Sequence, residues 1–399
     1  MDSPETTRAE PPRAAAPPFT WHGTGRALLE AQLDAIARAR GSVRLEVFTF
    51  SDSAVGRRFG EALTAAAERG ARVRVLADAI GSLGLRRDYF AGLVRAGGEV
   101  RRFNEPRPAT FTFRDHRKLL VVDEHVAFVG GCNIAEEYYG DGITVGWRDG
   151  GVEVRGPVAA VLAAEFDRQW ERASGENWRF LPGGTAARVT AGPAGEIEAL
   201  FIKPGLGRNP LRDALRRDIA GAKEIAITSA YFLPSKTLRR ELAAAVARGA
   251  RVRLLLAGRS DVRLMQLASR SLYRRLVERG IEIHEYQPQI LHAKSIVIDE
   301  IVFAGSSNLD PRSLRINFEI MLRIRDAGLA QTALRQFEDD LARRATRITR
   351  EFLQNERPWF ERFKQRLALW LLARLDPEFA RLKLRRWHLA QRRGRRRAL

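Results

Sequence analysis

Two short segments of the chain carry the same polar residues at the same spacing. These residues are His116, Lys118 and Asp123 in the first segment and His292, Lys294 and Asp299 in the second. The residues between each lysine and aspartate are mostly apolar, which predicts a buried strand that ends in a turn at the aspartate. Since side chains two apart on a strand share a face, each histidine and its lysine should lie beside one pocket. The repetition in register predicts that both histidines act on a single phosphate.

Lysine is informative here because it is rare in this chain. Only 7 of the 68 basic residues are lysine, yet both equivalent positions carry one. A compact ammonium approaches one phosphate oxygen as a point charge, whereas a planar guanidinium prefers a two-pronged contact. Lys118 and Lys294 are therefore predicted to stabilise the extra negative charge on phosphorus in the transition state.

Two histidines can divide the cleavage of a phosphodiester into two easier steps. One attacks phosphorus, and the other protonates the leaving alkoxide and later deprotonates the incoming hydroxyl. Each ring also needs an acceptor on its far nitrogen, for which Asp149 and Glu319 are the candidates. The candidates for binding the phosphate or orienting the histidines also include Asn133, Asn308 and Ser306. The chemistry requires no metal and no other cofactor.

The two segments belong to a repeat that runs through the chain. Leu63 to Leu76 (LTAAAERGARVRVL) recurs as Leu242 to Leu255 (LAAAVARGARVRLL), in each copy a helix closed by glycine and followed by a strand. Strands that alternate with helices predict a layered α/β fold. We therefore predict two duplicated halves, each a mixed, mostly parallel sheet flanked by helices, with one active site at their interface.

The predicted organisation has five parts: a disordered leader (1–18), a first half (19–181), a linker (182–195), a second half (196–350) and a basic amphipathic tail (351–399). The linker is rich in Gly, Pro, Thr and Ala without apolar periodicity. In the tail, apolar residues from Trp359 to Leu375 recur at helical spacing, and a basic run follows. This pattern predicts contact with anionic lipid headgroups. A helical hairpin packed on the core and a tail that binds nucleic acid are the alternatives.

The charge of the chain favours a partner that carries phosphate. A net charge of +20 and a pI near 11.0 leave nucleic acid and an anionic membrane as leading candidates. A single cysteine, Cys132, excludes an internal disulfide and fits a reducing cytoplasm. No apolar stretch approaches the roughly 20 residues that span a bilayer. Membrane contact is therefore expected to be peripheral, on the cytoplasmic face.

These residues resemble the phospholipase D superfamily, in which the motif HxKxxxxD occurs twice. Over roughly 21–350 the chain is most similar to bacterial cardiolipin synthases, of the short type without N-terminal transmembrane helices. The narrower resemblance is carried by Gly130 to Ile134 (GGCNI), Trp147 to Asp149 (WRD), Ala230 to Phe232 (AYF), Gly305 to Ser313 (GSSNLDPRS), and Asn317 with Glu319. It implies a phosphohistidine intermediate with His116 as the nucleophile. The halves are not equivalent, since Gly131 stands where the second copy has Ser306.

The resemblance implies a phosphatidyltransferase that moves a phosphatidyl group from phosphatidylglycerol to a hydroxyl of a second phospholipid. The alternatives are a phospholipid hydrolase in which water replaces that hydroxyl, a nuclease, and a catalytically silent lipid-binding scaffold. Intact motifs in both halves argue against the scaffold. The expected partners are anionic phospholipids and the membrane surface, with no nucleic acid. A monomer should suffice, because one chain supplies both motifs.

Overall fold

The computed structural model describes residues 18–105, 112–173, 184–190, 196–205, 208–355 and 359–372. The elements of the first half are β1 (Phe19–His22), α1 (Gly25–Arg38), β2 (Ser42–Val47), α2 (Ala54–Glu68), β3 (Arg72–Asp78), α3 (Ala91–Arg95), β4 (Glu99–Phe103), β5 (Lys118–Val122), β6 (Val126–Gly130), a 3-10 helix (Glu136–Tyr138), β7 (Gly151–Arg155) and α4 (Pro157–Ala173). All but the last residue of the predicted leader lies outside the described residues.

The second half repeats this order. Its elements are β8 (Thr185–Thr190), β9 (Glu196–Ile202), α5 (Pro210–Ile219), β10 (Glu224–Ser229), α6 (Lys236–Ala247), β11 (Arg251–Ala257), α7 (Arg263–Val277), β12 (Glu282–Tyr286), β13 (Lys294–Ile298), β14 (Ile301–Gly305), α8 (Pro311–Arg315), β15 (Glu319–Arg325), α9 (Ala327–Arg344), β16 (Ala345–Ile348), α10 (Arg350–Asn355) and α11 (Trp359–Trp370). The run from β2 to α4 recurs from β10 to α9, so the duplication predicted from the sequence is confirmed.

The repeated helices α2 and α6 begin and end with the same local chemistry. Ser53 and Ser235 cap them, each side chain accepting a hydrogen bond from a backbone N–H of the first turn. Gly70 and Gly249 follow their C-termini at φ angles of +91° and +95°, a conformation that glycine adopts without strain. Each helix therefore returns the chain to start a strand parallel to the one before it.

Parallel pairing is the minority arrangement in both sheets. The strand orders are β1-β7-β6-β5-β2-β3-β4 and β16-β12-β11-β10-β13-β14-β15-β9-β8. Only β2-β3-β4 and β10-β11-β12 pair in parallel. The mixed α/β fold is confirmed, but the prediction of mostly parallel sheets is wrong. A parallel pair needs a long crossover, whereas tight turns join β5 to β6 and β13 to β14 and force antiparallel pairing.

The two sheets face each other across a shared core. That core contains the inner faces of both sheets together with α4 and α9, and its buried residues include Val121, Phe166, Ile320 and Phe337. Helices α1 to α3 cover the outer face of the first sheet, and α5 to α7 cover that of the second. Because residues of both halves share the central core, packing fixes the halves relative to each other.

Two predicted segments differ from expectation. β8 occupies part of the predicted linker 182–195 and pairs with β9, so this stretch is in part an edge strand of the second sheet. In the predicted tail, α11 packs against α7 and buries Ala368, as in the alternative of a tail packed on the core. The basic run at the end lies outside the described residues. Within the described ranges, every helix is too short or too polar to cross a bilayer.

Candidate active site

Both motif histidines lie where the two sheets meet. His116 and His292 each stand two residues before the strand that carries the lysine, β5 or β13. The backbone N–H of His116 donates to the carbonyl of Phe318 at 3.0 Å, and that of His292 donates to the carbonyl of Arg148 at 2.8 Å. Phe318 belongs to the second half and Arg148 to the first. Each histidine is therefore anchored by the backbone of the opposite half.

The two histidine rings are held in the same crossed manner. His116 Nδ1 lies 3.0 Å from both carboxylate oxygens of Glu319. His292 Nδ1 lies 2.6 Å from Oδ2 of Asp149. Each acceptor comes from the half that does not supply the histidine, so neither half is complete without the other. With Nδ1 occupied in this way, Nε2 is the nitrogen of each ring that is left to react.

The motif lysines lie beside their own histidines, as period-two spacing on a strand predicts. Lys118 Nζ donates to the carbonyl of His116 at 2.8 Å. Lys294 Nζ donates to the carbonyl of His292 and lies 2.7 Å from its Nδ1 and 3.2 Å from its Nε2. Burial lowers the pKa of Lys118 to about 7, although the Glu319 carboxylate opposes it, and burial also lowers the pKa of Lys294. A phosphate oxygen bound here would meet ammonium groups that are already stripped of water.

Glu319 lies in a pocket of hydrogen-bond donors. The Ser306 hydroxyl donates to Oε2 at 2.5 Å, and the Asn317 amide donates to Oε1 at 3.4 Å. Burial raises the pKa of Glu319 to about 7, although Lys118 and Ser306 act in the opposite sense. The structure thus places Ser306 behind the carboxylate that contacts His116, where it orients that carboxylate.

Asp149 has a different environment because Gly131 replaces the serine. A Cβ at Gly131 would lie 2.3 Å from Asp149 Oδ1 and 2.6 Å from Oδ2, so the shorter acid fills the space that a side chain would need. Burial opposes ionisation of Asp149, but Lys294 and the hydrogen bond from His292 outweigh burial and lower its pKa. The two histidines therefore face carboxylates of different length and different proton affinity.

Both rings are buried among cations. Burial, with the positive charges of Lys118 and Lys294, lowers the pKa of His116 well below its ordinary value. Burial and Lys294 also lower the pKa of His292, but the hydrogen bond and the charge of Asp149 oppose this shift. His116 is therefore neutral around pH 7, and His292 is the ring with a strong ionised partner for its proton.

The predicted amide groups take different positions. Asn133 Oδ1 accepts from the backbone of Thr49 at 3.1 Å, and its Nδ2 donates to the Tyr138 hydroxyl at 2.9 Å. This asparagine joins the loop after β2 to the wall of the His292 side. Asn308 is buried, and its Oδ1 accepts no hydrogen bond from the described residues.

The structure does not bring Asp123 and Asp299 to the histidines. Each lies at the far end of its strand, in the turn after β5 or β13. The Asp123 carboxylate accepts hydrogen bonds from the backbone of Arg40, Gly41 and Ser42, and Asp299 binds the corresponding backbone of Lys223 and Glu224. The prediction that these aspartates act in catalysis is therefore corrected to a structural role, in which each fixes a turn against the start of a neighbouring strand.

Arg117, between His116 and Lys118, points to the opposite face of β5. Its guanidinium is fully buried, donates to Glu165 at 3.0 Å and lies 3.6 Å from Glu46. The charge cluster beneath the strand therefore fixes the backbone on which both reactive side chains stand. The alternation of a strand predicts this direction, but the sequence does not identify the partners, which come from β2 and α4.

Sequence reasoning missed an aromatic wall around the rings. Tyr138 and Trp147 contact the His292 ring with centroid distances of 5.1 and 5.4 Å, and Phe48 contacts the His116 ring at 5.0 Å. These residues lie outside the repeated motif, and of the three only Trp147 belongs to a segment, WRD, that carries the family resemblance. They form apolar walls beside the two rings.

The arrangement can support nucleophilic and acid–base chemistry at one phosphate. Buried carboxylates hold the two histidine rings at the junction of the halves, and the two lysine amino groups are held there by the carbonyls of the same histidines. Among the described residues, no group of His, Cys, Asp and Glu has the geometry to hold a metal ion.

Comparisons with known proteins agree with this geometry. The family model for the cardiolipin synthase, PLD-like domain matches residues 33–170 and 215–341. Cardiolipin synthase B of Salmonella typhi is 32% identical over 374 residues, which cover 90% of this chain and 89% of that protein. Cardiolipin synthase A of Pseudomonas fluorescens is 36% identical over 343 residues, which cover 82% and 69%.

Among solved structures, phosphatidylserine synthase from Haemophilus influenzae has a TM-score of 0.67 at 15% identity, over 91% of this chain and 95% of that chain. Polyphosphate kinase from Porphyromonas gingivalis has a TM-score of 0.56 at 17% identity, over 87% and 53%. At such identities the likeness shows a shared fold only. The family model matches both halves and the relatives match most of the length, so the chain belongs to the cardiolipin synthase family of phospholipase D-like proteins.

Proposed function

We propose that this phosphatidyltransferase moves a phosphatidyl group from phosphatidylglycerol to a hydroxyl of a second phospholipid through a phosphohistidine intermediate. The observation that carries the proposal is the crossed pairing of His116 with Glu319 and of His292 with Asp149. It places two imidazoles with unequal partners on one site. The names of the relatives, cardiolipin synthases A and B, supply the substrate class.

His116 is the nucleophile in this proposal. Its ring is neutral because burial and two nearby ammonium groups oppose its protonation. The Glu319 carboxylate accepts a hydrogen bond from Nδ1–H, which keeps the proton on Nδ1 and leaves the lone pair on Nε2 free to attack phosphorus. As positive charge develops on the ring during attack, the same carboxylate stabilises it.

His292 is the general acid and base. The ionised Asp149 lies 2.6 Å from its Nδ1 and favours the imidazolium. An incoming phosphodiester adds a negative charge beside Lys294, which removes part of the repulsion that lowers the pKa of His292 in the empty site. Substrate binding therefore helps to load the proton that the leaving group needs.

The proposed reaction has two displacements. First, a bond forms between His116 Nε2 and phosphorus while the bond from phosphorus to the oxygen of the glycerol headgroup breaks. His292 Nε2 gives its proton to that oxygen, and free glycerol leaves. Then His292 takes the proton of the acceptor hydroxyl, whose oxygen attacks phosphorus as the bond to His116 breaks. Both steps pass through pentacoordinate phosphorus, whose added charge Lys118 and Lys294 stabilise.

The remaining expectations belong to the same proposal. The protein acts at the cytoplasmic face of a membrane as a peripheral protein, on anionic phospholipids and without nucleic acid. A monomer is sufficient, because both histidines and both carboxylates come from one chain.

The first test is to incubate the purified protein with phosphatidylglycerol vesicles, with and without phosphatidylethanolamine, and to resolve the lipid products by mass. Cardiolipin supports transfer and identifies the donor. Phosphatidic acid alone identifies a hydrolase instead, and no lipid product contradicts the proposal. His116→Ala and His292→Ala should each remove nearly all turnover.

A second experiment tests the roles of the histidines. The donor is phosphatidyl-p-nitrophenol, labelled with radioactive phosphorus, because nitrophenolate is a good leaving group that needs little protonation. His292→Ala should still release nitrophenol and should accumulate acid-labile label on the peptide that contains His116. His116→Ala should carry no label. Label on the His292 peptide of His116→Ala would reverse the assignment.

A further inference from the structure

The exposed apolar side chains of this protein are unevenly distributed. Nine large apolar side chains are exposed among the described residues. Six of them lie in three segments, which we call the rim loops: Ile80 and Leu83 in 79–90, Ile143 and Val145 in 141–146, and Val262 and Leu264 in 258–264, a segment that includes the first two residues of α7. Such a concentration on an otherwise well-packed fold indicates an interaction surface.

Strand register places two rim loops at the edge where the histidines lie. Val47, the last residue of β2, pairs with both Lys118 of β5 and Ala77 of β3. The C-terminal end of β3, from which loop 79–90 leaves, is therefore on the His116 side. In the second half Ser229 pairs in the same way with Lys294 and Leu256, so loop 258–264 leaves on the His292 side.

The duplication puts an exposed apolar residue at the same place in each half. Leu83 lies five residues after the end of β3 and is 67% exposed, and Val262 lies five residues after the end of β11 and is 39% exposed. Because the two histidine edges meet at one site, these residues lie on either side of its opening.

The third rim loop crosses from the first half to the second. The Tyr286 hydroxyl, at the end of β12, donates to the carbonyl of Gly142 at 2.6 Å. Trp147, just after this loop, contacts the His292 ring. The backbone of the loop is held by Asp141, whose carboxylate accepts three backbone N–H groups, while Val145 remains 48% exposed. This loop therefore presents an apolar side chain from a rigid turn beside the site.

Cations accompany these apolar residues. Loop 79–90 carries Arg86 and Arg87 against one aspartate, and loop 258–264 carries Arg259 and Arg263 against one aspartate. All four arginines are exposed. Apolar side chains with adjacent arginines fit the boundary between acyl chains and anionic headgroups.

We propose that the three rim loops dock the protein on an anionic phospholipid bilayer, with Leu83 and Val262 entering the interface on opposite sides of the active-site opening. The inference rests on the proposed function, since it concerns how a bilayer lipid reaches the histidines. It differs from docking through the tail, where the described part of α11 packs against α7. With the histidine edge on the membrane, a headgroup rises into the site while its acyl chains stay in the bilayer.

The single cysteine allows a direct test. Cys132 is buried, so Leu83→Cys and Val262→Cys can each be labelled selectively with an environment-sensitive fluorophore. Phosphatidylglycerol vesicles should raise and blue-shift the emission of both labels, and phosphatidylcholine vesicles should do so much less. The control is Glu300→Cys, because Glu300 is exposed in the turn between β13 and β14, at the end of β13 opposite to His292.

Activity then separates docking from chemistry. The double variant Leu83→Ser/Val262→Ser should lose roughly tenfold or more in turnover on vesicles, because two apolar anchors are lost, and little on detergent-dispersed phosphatidylglycerol. The docking surface would be overturned if the double variant and the parent had equal rates on vesicles. It would also be overturned if the emission of the labels did not change although the protein was bound to vesicles. A label response to an oligonucleotide but not to vesicles would also overturn it. No turnover of dispersed lipid by the parent protein would contradict the proposed function instead.

Discussion

Gly131→Ala should disable the His292 side of the site without unfolding the protein. The added Cβ would lie 2.3 Å from Oδ1 and 2.6 Å from Oδ2 of Asp149. Contacts below 3.0 Å are essentially never seen, so the carboxylate must retreat by at least about 0.7 Å. Its 2.6 Å contact with His292 Nδ1 cannot survive that movement unchanged. Misplacing a catalytic group by about 1 Å can cost about 100-fold in rate, and we expect a loss of that order in kcat.

The assay is turnover of detergent-dispersed phosphatidylglycerol, with the nitrophenyl donor as a second substrate. If Asp149 acts by supporting the acid, release of nitrophenol should fall much less than release of glycerol, because only the glycerol oxygen needs a proton from His292. A general loss of structure would lower both rates together. The ratio of the two rates therefore distinguishes a displaced acid from a damaged fold.

Gly221→Ala is the matched control, since a Cβ there meets no heavy atom within 4 Å and the residue has no positive φ. Its thermal midpoint and both rates should match those of the parent. If Gly131→Ala keeps more than about half of the parental rate on phosphatidylglycerol, then either Asp149 relaxes freely or it does not support His292. Either result would refute the reasoning.

Three further predictions follow from the same site. Burial raises the pKa of Glu319 to about 7 in the folded protein. Between roughly pH 4.5 and 7 the folded state therefore holds a proton on this group that the unfolded state has lost. As pH rises through this window, Glu319 lowers the free energy of unfolding. Glu319→Gln should therefore abolish turnover and make the thermal midpoint of unfolding depend less on pH in that window. A pH dependence equal to that of the parent would contradict the assigned pKa shift. Asp123→Asn weakens the acceptor for three backbone N–H groups and should cost about 1–3 kcal/mol in free energy of unfolding, measured by denaturant titration, with kcat of the folded protein nearly kept. Trp147→Ala removes a wall of the His292 ring, so the share of phosphatidic acid among the products should rise; an unchanged share would mean that this side chain does not exclude water.

The site could be predicted from the sequence where it repeats. His116 and His292, with Lys118 and Lys294, are duplicated in register, and a strand period of two places each pair on one face. Their roles in the reaction stay predictions. The sequence indicates Asp149 and Glu319 as candidate acceptors, but it does not indicate which acid contacts which ring, because His116 and Glu319 are 203 residues apart and only the packing of the halves brings them together.

The aspartates show how a motif can mislead. Asp123 and Asp299 recur with the histidines as regularly as the lysines do, yet they bind backbone N–H groups at the far end of the strand. Recurrence shows that a residue is needed by the fold of each half, and it does not separate a structural need from a chemical one. The sequence suggests too much parallel pairing for a similar reason. The repeated helix and strand belong to the parallel part of each sheet, whereas the antiparallel hairpins leave a weaker pattern in the sequence.

The differences between the halves carry as much information as the repeat. Two identical copies related by a two-fold axis would give both histidines the same acceptor and the same proton affinity. In this chain Ser306 donates to the longer acid, Glu319, whereas Gly131 leaves room for the shorter acid, Asp149. The pKa of Glu319 is raised and that of Asp149 is lowered. A reaction that needs one neutral and one protonated imidazole at the same moment benefits from such inequality. Fusion of both halves in one chain allows the sequence to fix which histidine attacks and which one supplies the proton.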